Sequence, residues 1–218
     1  MNLVLFDLDN TLLSGDTDVE WLDFLIGQGI LPESERQANL EMDRRYRTGE
    51  ADALEYVRFY LRFYPPHDTP ALLGLRGQFM KQRIEPRMLP AARRLIHERK
   101  GNSLLAIITA TNRFLTEPIA AAFGIEHLIA TEPQMRDGRF TGDIVGEPCM
   151  REGKIAWLDQ WLAARHVSLA EFPETWFYSD SINDLPLLGR VTHPVAVDAD
   201  PRLAEIARQR GWRTLSLR

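Results

Sequence analysis

Two aspartates near the start of the chain are spaced so that they could do chemistry together. Asp7 and Asp9 follow the apolar run of residues 3–6, and Asn10 and Thr11 come directly after them. Carboxylates this close repel each other unless a proton or a cation lies between them. Magnesium suits such an all-oxygen site, because it is often held by one or two carboxylates together with substrate phosphates. The plainer alternative is that these residues only form the turn between a strand and a helix.

Two later groups of polar residues also follow short apolar runs. They are Thr109 with Ala110, after residues 104–108, and Asp180 with Asn183 and Asp184, after residues 175–179. Lys154 opens the predicted helix that precedes the second group. If the strands are neighbours, their carboxyl ends converge on one crevice. Oxygen ligands for a hard cation, donors for an anion and one fixed positive charge would meet there, a combination that suits phosphoryl transfer.

Each of these later residues also has a purely structural explanation. Thr109 can simply end a strand, and Lys154 can be an exposed lysine in the first turn of a helix. Asn183 and Asp184 can cap a helix. Their occurrence together in one chain favours a shared site over a set of unrelated structural roles.

The elements that would position these residues alternate between strands and helices. Short apolar runs bounded by turn formers are typical of buried strands in a parallel sheet. The predicted strands cover residues 3–6, 104–108, 127–131, 175–179, 194–197 and, at the sheet edge, 213–217. The pair Asp137-Gly138 indicates an antiparallel hairpin within residues 133–146. The alternation predicts an α/β fold with a Rossmann-like parallel sheet.

A long segment without strand signals interrupts this alternation. Between residues 15 and 86 the apolar residues recur at helical spacing, in predicted helices that end near Gly29, Gly49 and Pro65-Pro66, with one more over 69–83. The segment is too long for a loop. It is predicted to be an inserted all-helical cap, residues 15–86, on a core domain of residues 1–14 and 87–218.

Further helices are predicted between the later strands. They cover residues 91–99, a segment after Asn112 that ends at Phe123 with Pro118 in its first turn, 154–165 preceded by Gly153, a short helix at Asp184, and a last helix between Pro201 and Gly211.

Composition restricts the classes of partner. The formal net charge of the 218 residues is −5, with 44% hydrophobic and 26% charged residues, which fits a globular protein and argues against nucleic acid as a partner. No apolar segment approaches the length of a membrane span and no secretory signal opens the chain, so a cytoplasmic location is expected. The five histidines have no zinc-type spacing, and the single cysteine, Cys149, has no assignable role. The oligomeric state is left open.

The order of these motifs resembles that of a known family. The segment from Asp7 to Leu12 resembles the first motif of the haloacid dehalogenase superfamily. Thr109, Lys154 and the segment Ser179–Asp184 are similar to its second, third and fourth motifs, in the same order. The helical insert directly after the first motif resembles the cap of the phosphoserine phosphatase-like branch, and the resemblance covers essentially the whole chain.

The resemblance implies a role for each aspartate of the first motif. Asp7 is implied to be the nucleophile that forms an aspartyl-phosphate. Asp9 is implied to protonate the leaving alkoxide and then to activate the hydrolytic water. Mg²⁺ is implied to be held by Asp7, the backbone carbonyl of Asp9, and Asp180.

The resemblance implies binding roles for the remaining motif residues. Thr109 and the backbone N–H of Ala110 are expected to bind the phosphoryl oxygens. Lys154 would neutralise the transferring charge, Asn183 would contact the substrate or the phosphoryl group, and Asp184 would orient Lys154 or a metal-bound water.

Two departures from the branch bear on the substrate. Asp16 lies where phosphoserine phosphatases have a glutamate that holds the substrate amino group, although it can equally be a helix N-cap. An ungapped alignment on Gly49 puts Tyr60 in place of the arginine that clamps the serine carboxylate, and Arg58 and Arg62 lie on other faces of that helix. An amino phosphate without a carboxylate, such as histidinol phosphate, is therefore expected alongside phosphoserine.

The sequence therefore predicts a Mg²⁺-dependent phosphomonoester hydrolase that acts on a small phosphorylated metabolite. Two alternatives remain open at this point. One is a phosphotransferase that uses the same intermediate, and the other is a phosphate-ligand binding module without catalysis.

Overall fold

A seven-stranded sheet forms the centre of the computed structural model, which describes residues 1–218. Its strands are β1 (Asn2–Phe6), β2 (Ser103–Asn112), β3 (His127–Arg136), β4 (Arg139–Val145), β5 (Thr175–Ser179), β6 (His193–Val197) and β7 (Arg213–Leu215). Their spatial order is β4-β3-β2-β1-β5-β6-β7. All neighbours are parallel except β3 and β4, which form the predicted antiparallel hairpin. The predicted α/β fold class is confirmed.

The central position of β1 explains why its residues 3–6 are continuously apolar. Val4 and Phe6 belong to one hydrophobic cluster, whereas Leu3 and Leu5 belong to another, and all four side chains are fully buried. Because successive side chains of a strand point to opposite faces, the two clusters lie on the two faces of the sheet. Helices cover both faces, so the four positions directly before Asp7 are all apolar.

Nine α-helices accompany the strands. They are α1 (Thr17–Gly27), α2 (Ser34–Thr48), α3 (Ala53–Leu61), α4 (Thr69–Phe79), α5 (Pro90–Arg99), α6 (Arg113–Phe123), α7 (Glu152–Ala163), α8 (Leu185–Leu188) and α9 (Pro201–Arg210). Asp16, Asp52 and Asp68 begin three of them by accepting a backbone hydrogen bond as N-caps. No helix is both long and apolar enough to cross a membrane.

The four helices α1 to α4 lie between β1 and β2 in the chain, where the helical cap is predicted. The chain leaves and re-enters the sheet region at adjacent points, because Ser14 N donates to Arg87 O at 2.9 Å and Leu13 pairs with Met88 in an antiparallel bridge. Parts of the segment share the large hydrophobic cluster with the sheet. A separate small cluster of Met42, Ala51, Phe59 and Tyr60 holds α2 and α3 together. The domain limits at residues 14 and 87 stay a prediction.

Four details differ from the sequence expectation. The first difference is that two strands are longer than predicted. β2 continues past Thr109 to Asn112, where its register with β3 shifts, and β3 continues past Thr131 into the hairpin. The helix predicted over residues 69–83 is α-helical to Phe79 and continues as a π-helix, Met80–Ile84. Gly153, expected before its helix, lies inside α7.

The fourth difference is Pro118, which lies inside α6 and not in its first turn. A proline there removes the backbone hydrogen bond to the carbonyl of the residue four positions earlier, Phe114. The Arg76 guanidinium donates to that carbonyl at 2.7 Å instead. A side chain from α4 thus satisfies the oxygen that the proline leaves free, which is why the helix can continue through residue 118.

Candidate active site

The carboxyl ends of three adjacent strands border one cavity of about 760 Å³. β1 lies between β2 and β5, so the residues that follow these strands are neighbours in space. The cavity is lined by all nine residues singled out from the sequence: Asp7, Asp9, Asp16, Thr109, Ala110, Lys154, Asp180, Asn183 and Asp184. The fold therefore brings them to one place, while their chemical roles stay predictions.

A buried lysine lies between two carboxylates at the base of the cavity. Lys154 Nζ lies 2.7 Å from Asp7 Oδ1 and 2.7 Å from Asp184 Oδ1, and the lysine is 3% exposed. Ser179 Oγ donates to Asp184 Oδ2 at 2.6 Å, which orients that carboxylate. Burial alone would lower the pKa of Lys154, but the charges of Asp184 and Asp7 outweigh it and raise the pKa. The alternative of an exposed first-turn lysine is therefore wrong.

The start of α7 depends on a glycine. A Cβ at Gly153 would lie 2.1 Å from the carbonyl oxygen of Pro148, so only glycine lets the preceding loop fold back this closely. Arg151, which precedes the helix, has a positive φ of 51°. This tight entry places Lys154 in the first turn of α7 and directs it towards the end of β1.

A threonine hydroxyl connects the first and fourth motifs. Thr11 Oγ1 lies 2.9 Å from Asp180 Oδ1 and 3.3 Å from Asp7 Oδ2, and it accepts the backbone N–H of Asp180 at 3.0 Å. The side chain is fully buried. The sequence placed Thr11 in the first motif but did not indicate this contact, because its partner lies 169 residues away.

The two carboxylates beside Thr11 form a site that fits a hard cation. Burial raises the pKa of Asp7 to about 7 against the opposing effect of Lys154. Burial and then the charge of Asp7 raise the pKa of Asp180 to about 8. Lys154 is shared between Asp7 and Asp184, so its single positive charge leaves the cluster of Asp7, Asp180 and Asp184 with a net negative charge. No group of three or more His, Cys, Asp or Glu forms a complete metal site, but two carboxylates with space for a phosphate and water suit magnesium.

The side chain of Asp9 is already hydrogen-bonded within the protein. Its Oδ1 accepts the backbone N–H of Thr17 at 2.8 Å and also the Thr17 hydroxyl, and its Oδ2 accepts the Thr111 hydroxyl at 2.7 Å. Both side-chain oxygens are thus occupied, which leaves the backbone carbonyl as the expected metal ligand. Burial, followed by the charge of Asp16, raises the pKa of Asp9 to about 7. A carboxyl group with such a pKa suits a general acid near neutral pH.

The predicted phosphate-binding residues Thr109, Ala110 and Asn183 line the same cavity as the carboxylates. Thr109 is 1% exposed, and its hydroxyl accepts the backbone N–H of Thr111 at 3.3 Å. Ala110 follows it along the cavity wall. Asn183 lies in a 3₁₀ turn, and its own backbone N–H donates to the Ser181 hydroxyl. The arrangement leaves the hydroxyl proton of Thr109 available to an anion in the cavity.

The side of the cavity formed by the cap is acidic. Asp16 lines it while accepting the Val19 N–H at 3.0 Å, so the N-cap explanation of this residue holds alongside its place at the cavity. Asp18 lies beside it and is contacted by Thr111 and Asn112 at 3.4 Å. Burial raises the pKa of both Asp16 and Asp18. Cavity residues that the sequence did not identify are Asp43, Tyr46, Tyr56 and Arg151.

The two arginines that flank Tyr60 do not reach the cavity. Arg58 forms a bidentate pair with Asp143 at 2.9 and 2.7 Å, and Arg62 pairs with Glu35. Tyr60 is 2% exposed and belongs to the interior of the cap. Other arginines line the cavity, namely Arg47, Arg151 and Arg202. The positive charges near the substrate therefore come from elements other than α3.

Several relatives match this chain along nearly its whole length. A histidinol-phosphatase of Neisseria meningitidis is 39% identical and covers 100% of this chain and 99% of its own. A phosphoserine phosphatase of Mycobacterium tuberculosis is 29% identical over 95% of this chain and 68% of its own.

Solved structures match the fold as well. A Bordetella pertussis protein of unknown function is 43% identical, with a TM-score of 0.95 over 100% of this chain and 99% of its own. A phospho-aspartyl intermediate analogue of phosphoserine phosphatase is 20% identical, with a TM-score of 0.70 over 100% and 93%, which shows the shared fold alone. The sequence profile of haloacid dehalogenase-like hydrolases matches residues 4–189. The chain therefore belongs to the haloacid dehalogenase-like hydrolase family.

Proposed function

We propose that the protein is a Mg²⁺-dependent phosphomonoester hydrolase that acts through an aspartyl-phosphate on Asp7. The observation that supports this most is the pair of contacts made by Asp7, with Lys154 at 2.7 Å on one side and Thr11, shared with Asp180, on the other. One carboxylate oxygen is thus held by a cation, and the other faces the proposed metal site. Such positioning and charge neutralisation are what phosphoryl transfer requires.

The proposed reaction proceeds in two steps on this chain's own residues. An oxygen of Asp7 attacks the phosphorus, the ester bond to the alcohol breaks, and protonated Asp9 gives its proton to the leaving alkoxide. Asp9 then removes a proton from water, which attacks the phosphorus and releases phosphate and free Asp7. Thr109 and the N–H of Ala110 hold the phosphoryl oxygens, while Lys154 balances their charge.

Three groups would hold the metal ion, and neighbouring residues complete its surroundings. Asp7, Asp180 and the backbone carbonyl of Asp9 are the proposed ligands, and the ion would shield the repulsion between Asp7 and the phosphate. Asp184 orients Lys154, and Asn183 contacts the phosphoryl group or the substrate. The excess negative charge around Thr11 supports this assignment, because it needs a positive partner that Lys154 alone does not supply.

We propose that the substrate is a small phosphate ester that carries an amine, with histidinol phosphate as the leading candidate. The relative named histidinol-phosphatase is 39% identical over the whole chain. The acidic side of the cavity, with Asp16 as the proposed amine ligand, suits a positively charged group. Arg58 and Arg62 are engaged with Asp143 and Glu35, so neither of the arginines that flank Tyr60 is free to bind a substrate carboxylate. Phosphoserine is the competing substrate.

The helical cap, residues 15–86, is proposed to close over the substrate. A contact between the two parts supports this proposal, because the carboxylate of Asp9 accepts a hydrogen bond from Thr17, the first residue of α1. Closure would exclude bulk water while the intermediate forms.

Hydrolysis of a panel of phosphate monoesters with Mg²⁺, by wild type and Asp7→Asn side by side, tests the proposal. Wild type should release phosphate, fastest from histidinol phosphate, and Asp7→Asn should reduce the rate at least about a thousandfold, because the nucleophile is lost. Equal activity of the two proteins would contradict the assignment of Asp7 as the nucleophile. Clear preference for phosphoserine would contradict histidinol phosphate as the substrate. Transfer of phosphate to an added alcohol would identify a phosphotransferase.

A further inference from the structure

A tyrosine hydroxyl of the cap lies at the cavity without a hydrogen-bond partner. Tyr46 belongs to the last turn of α2, lines the cavity and is 6% exposed. Its hydroxyl oxygen is buried and makes no hydrogen bond of ordinary geometry within the protein. The guanidinium of Arg151 is close enough to oppose the rise in the pKa of Tyr46 that burial causes. Buried polar atoms are nearly always paired. An unpaired hydroxyl on the wall of a substrate cavity therefore indicates a polar atom of the ligand as its missing partner.

The ring of Tyr46 is held firmly although its hydroxyl is not. The Tyr56 ring packs against it with centroids 4.6 Å apart. The guanidinium of Arg151 lies over the same ring, 4.7 Å from its centroid. These contacts connect the cap with the loop before α7, and they fix the position of the hydroxyl without using it. The hydroxyl is thus available in a fixed place.

A second tyrosine of the same wall shows the contrast. Tyr56 also lines the cavity, but its hydroxyl lies 3.4 Å from the Tyr60 hydroxyl. Tyr60 in turn donates to Asn39 Oδ1 at 2.6 Å. The hydroxyl of Tyr56 is therefore satisfied within the cap. Of the two tyrosines that line the cavity, only Tyr46 has a hydroxyl without a hydrogen bond of ordinary geometry.

The charges around the cavity divide it into regions with different ligand preferences. The phosphate is proposed to lie at Asp7 and Lys154, and the amine is proposed to lie at the carboxylates of Asp16 and Asp18. A substrate that occupies both regions has its remaining part directed to the rest of the wall, where Tyr46 lies. The packed rings of Tyr46 and Tyr56 in that part of the wall suit a flat group that carries a hydrogen-bonding atom.

We propose that Tyr46 is a specificity-determining residue whose hydroxyl binds a ring nitrogen of a heteroaromatic group on the substrate, such as imidazole. This inference rests on the proposed function and deepens it. A phenol hydroxyl both donates and accepts, so it can bind a neutral or a protonated imidazole. A substrate that lacks the ring leaves the hydroxyl unpaired, and a site built around such a bond discriminates against that substrate.

The test compares two substrates on three proteins. The measured quantity is the ratio of kcat/KM for histidinol phosphate to kcat/KM for O-phosphoethanolamine, which has the phosphate and the amine but no ring. Tyr46→Phe removes only the hydroxyl and should lower this ratio about tenfold, the equivalent of one hydrogen bond. Tyr56→Phe is the matched control, and its ratio should stay within about twofold of wild type, because its hydroxyl bonds within the cap.

Each other outcome overturns the inference. The ratio is measured on one preparation, so it does not depend on the fraction of folded enzyme. An unchanged ratio in Tyr46→Phe, or an equal fall of the ratio in both variants, shows that the Tyr46 hydroxyl does not bind the ring of the substrate. If wild type hydrolyses both substrates equally well, the inference fails while the phosphatase assignment stands. If wild type hydrolyses no phosphate ester, the proposed function fails with it.

Discussion

The two sides of the cavity satisfy their polar groups in different ways. We call Asp7, Thr11, Lys154, Asp180 and Asp184 the floor, and Asp43, Tyr46 and Arg47 of the cap the roof. In the floor, Lys154 is 3% exposed and bonds two carboxylates directly. In the roof, Asp43 pairs with Arg47, whose side chain is 74% exposed, and the Tyr46 hydroxyl is unpaired.

The difference indicates a division of labour. A floor whose groups hold one another in place is arranged before the substrate arrives, which is what charge stabilisation during catalysis requires. A roof with an unsatisfied hydroxyl and an exposed ion pair is expected to gain polar contacts from the substrate. The floor is therefore expected to determine the reaction, and the roof to determine which ester reacts.

The largest effect after loss of the nucleophile is expected from Lys154→Met. The variant leaves Asp7 and Asp184 buried without their cation, which costs about 3–5 kcal/mol in the free energy of unfolding. The same change should lower kcat at least about a hundredfold, because the charge that balances the phosphoryl group is gone. Urea unfolding in the presence of EDTA, together with phosphate release at saturating Mg²⁺, measures both effects.

Lys81→Met is the control, because it removes one lysine from an exposed position of the cap. Its stability and its kcat should stay close to those of wild type. An unfolding free energy of Lys154→Met within about 1 kcal/mol of the control would show that the floor is not held by this ion pair.

A smaller effect is expected from Thr11→Val, which preserves shape and removes the hydroxyl between Asp7 and Asp180. Groups that orient metal ligands typically contribute about 10- to 100-fold to metal affinity. The Mg²⁺ concentration for half-maximal activity should therefore rise at least about tenfold, with part of the loss recovered at high Mg²⁺.

Thr116→Val provides the comparison for Thr11→Val. Thr116 is equally buried, but its hydroxyl bonds only to the backbone carbonyl of Asn112, the N-cap of its helix. A Mg²⁺ requirement that is the same in both variants would contradict the assignment of Thr11 to the metal site.

The smallest effect is expected away from the cavity, from Arg58→Gln in the cap. Arg58 connects α3 to β4 through Asp143, but both side chains are largely exposed. Exposed ion pairs contribute little and are screened by salt. The value of kcat/KM should change less than about threefold, and less still at high ionic strength. A tenfold loss that persists at high salt would show that this contact holds the cap in place for catalysis.

Local patterns in the sequence were sufficient to locate the floor. Asp7 follows a continuous apolar run, and Asp180 follows the predicted strand of residues 175–179. Such strand signals reveal a buried parallel sheet and therefore the edge where ligands bind. Lys154 had no such local signal. Its burial depends on partners 147 and 30 residues away, which only the folded chain brings together.

The roof could not be located in this way. α2 contains only two buried residues, Met42 and Tyr46, so its pattern does not distinguish the face that covers the cavity from the face in water. The part of Tyr46 depends on how the cap lies over the sheet, and helical periodicity contains no information about that placement. Pro118 shows the same limit, since the guanidinium that compensates it belongs to another helix.

The most direct test of the central claim is to trap the covalent intermediate. Wild-type enzyme is mixed with Mg²⁺ and its best ester, quenched in acid within one turnover, reduced with borohydride and mapped by mass spectrometry. An acyl phosphate on Asp7 predicts that this residue alone is reduced to an alcohol, and that no reduction occurs without substrate. Reduction at another carboxylate, or none at all during a burst of product release, would contradict Asp7 as the nucleophile.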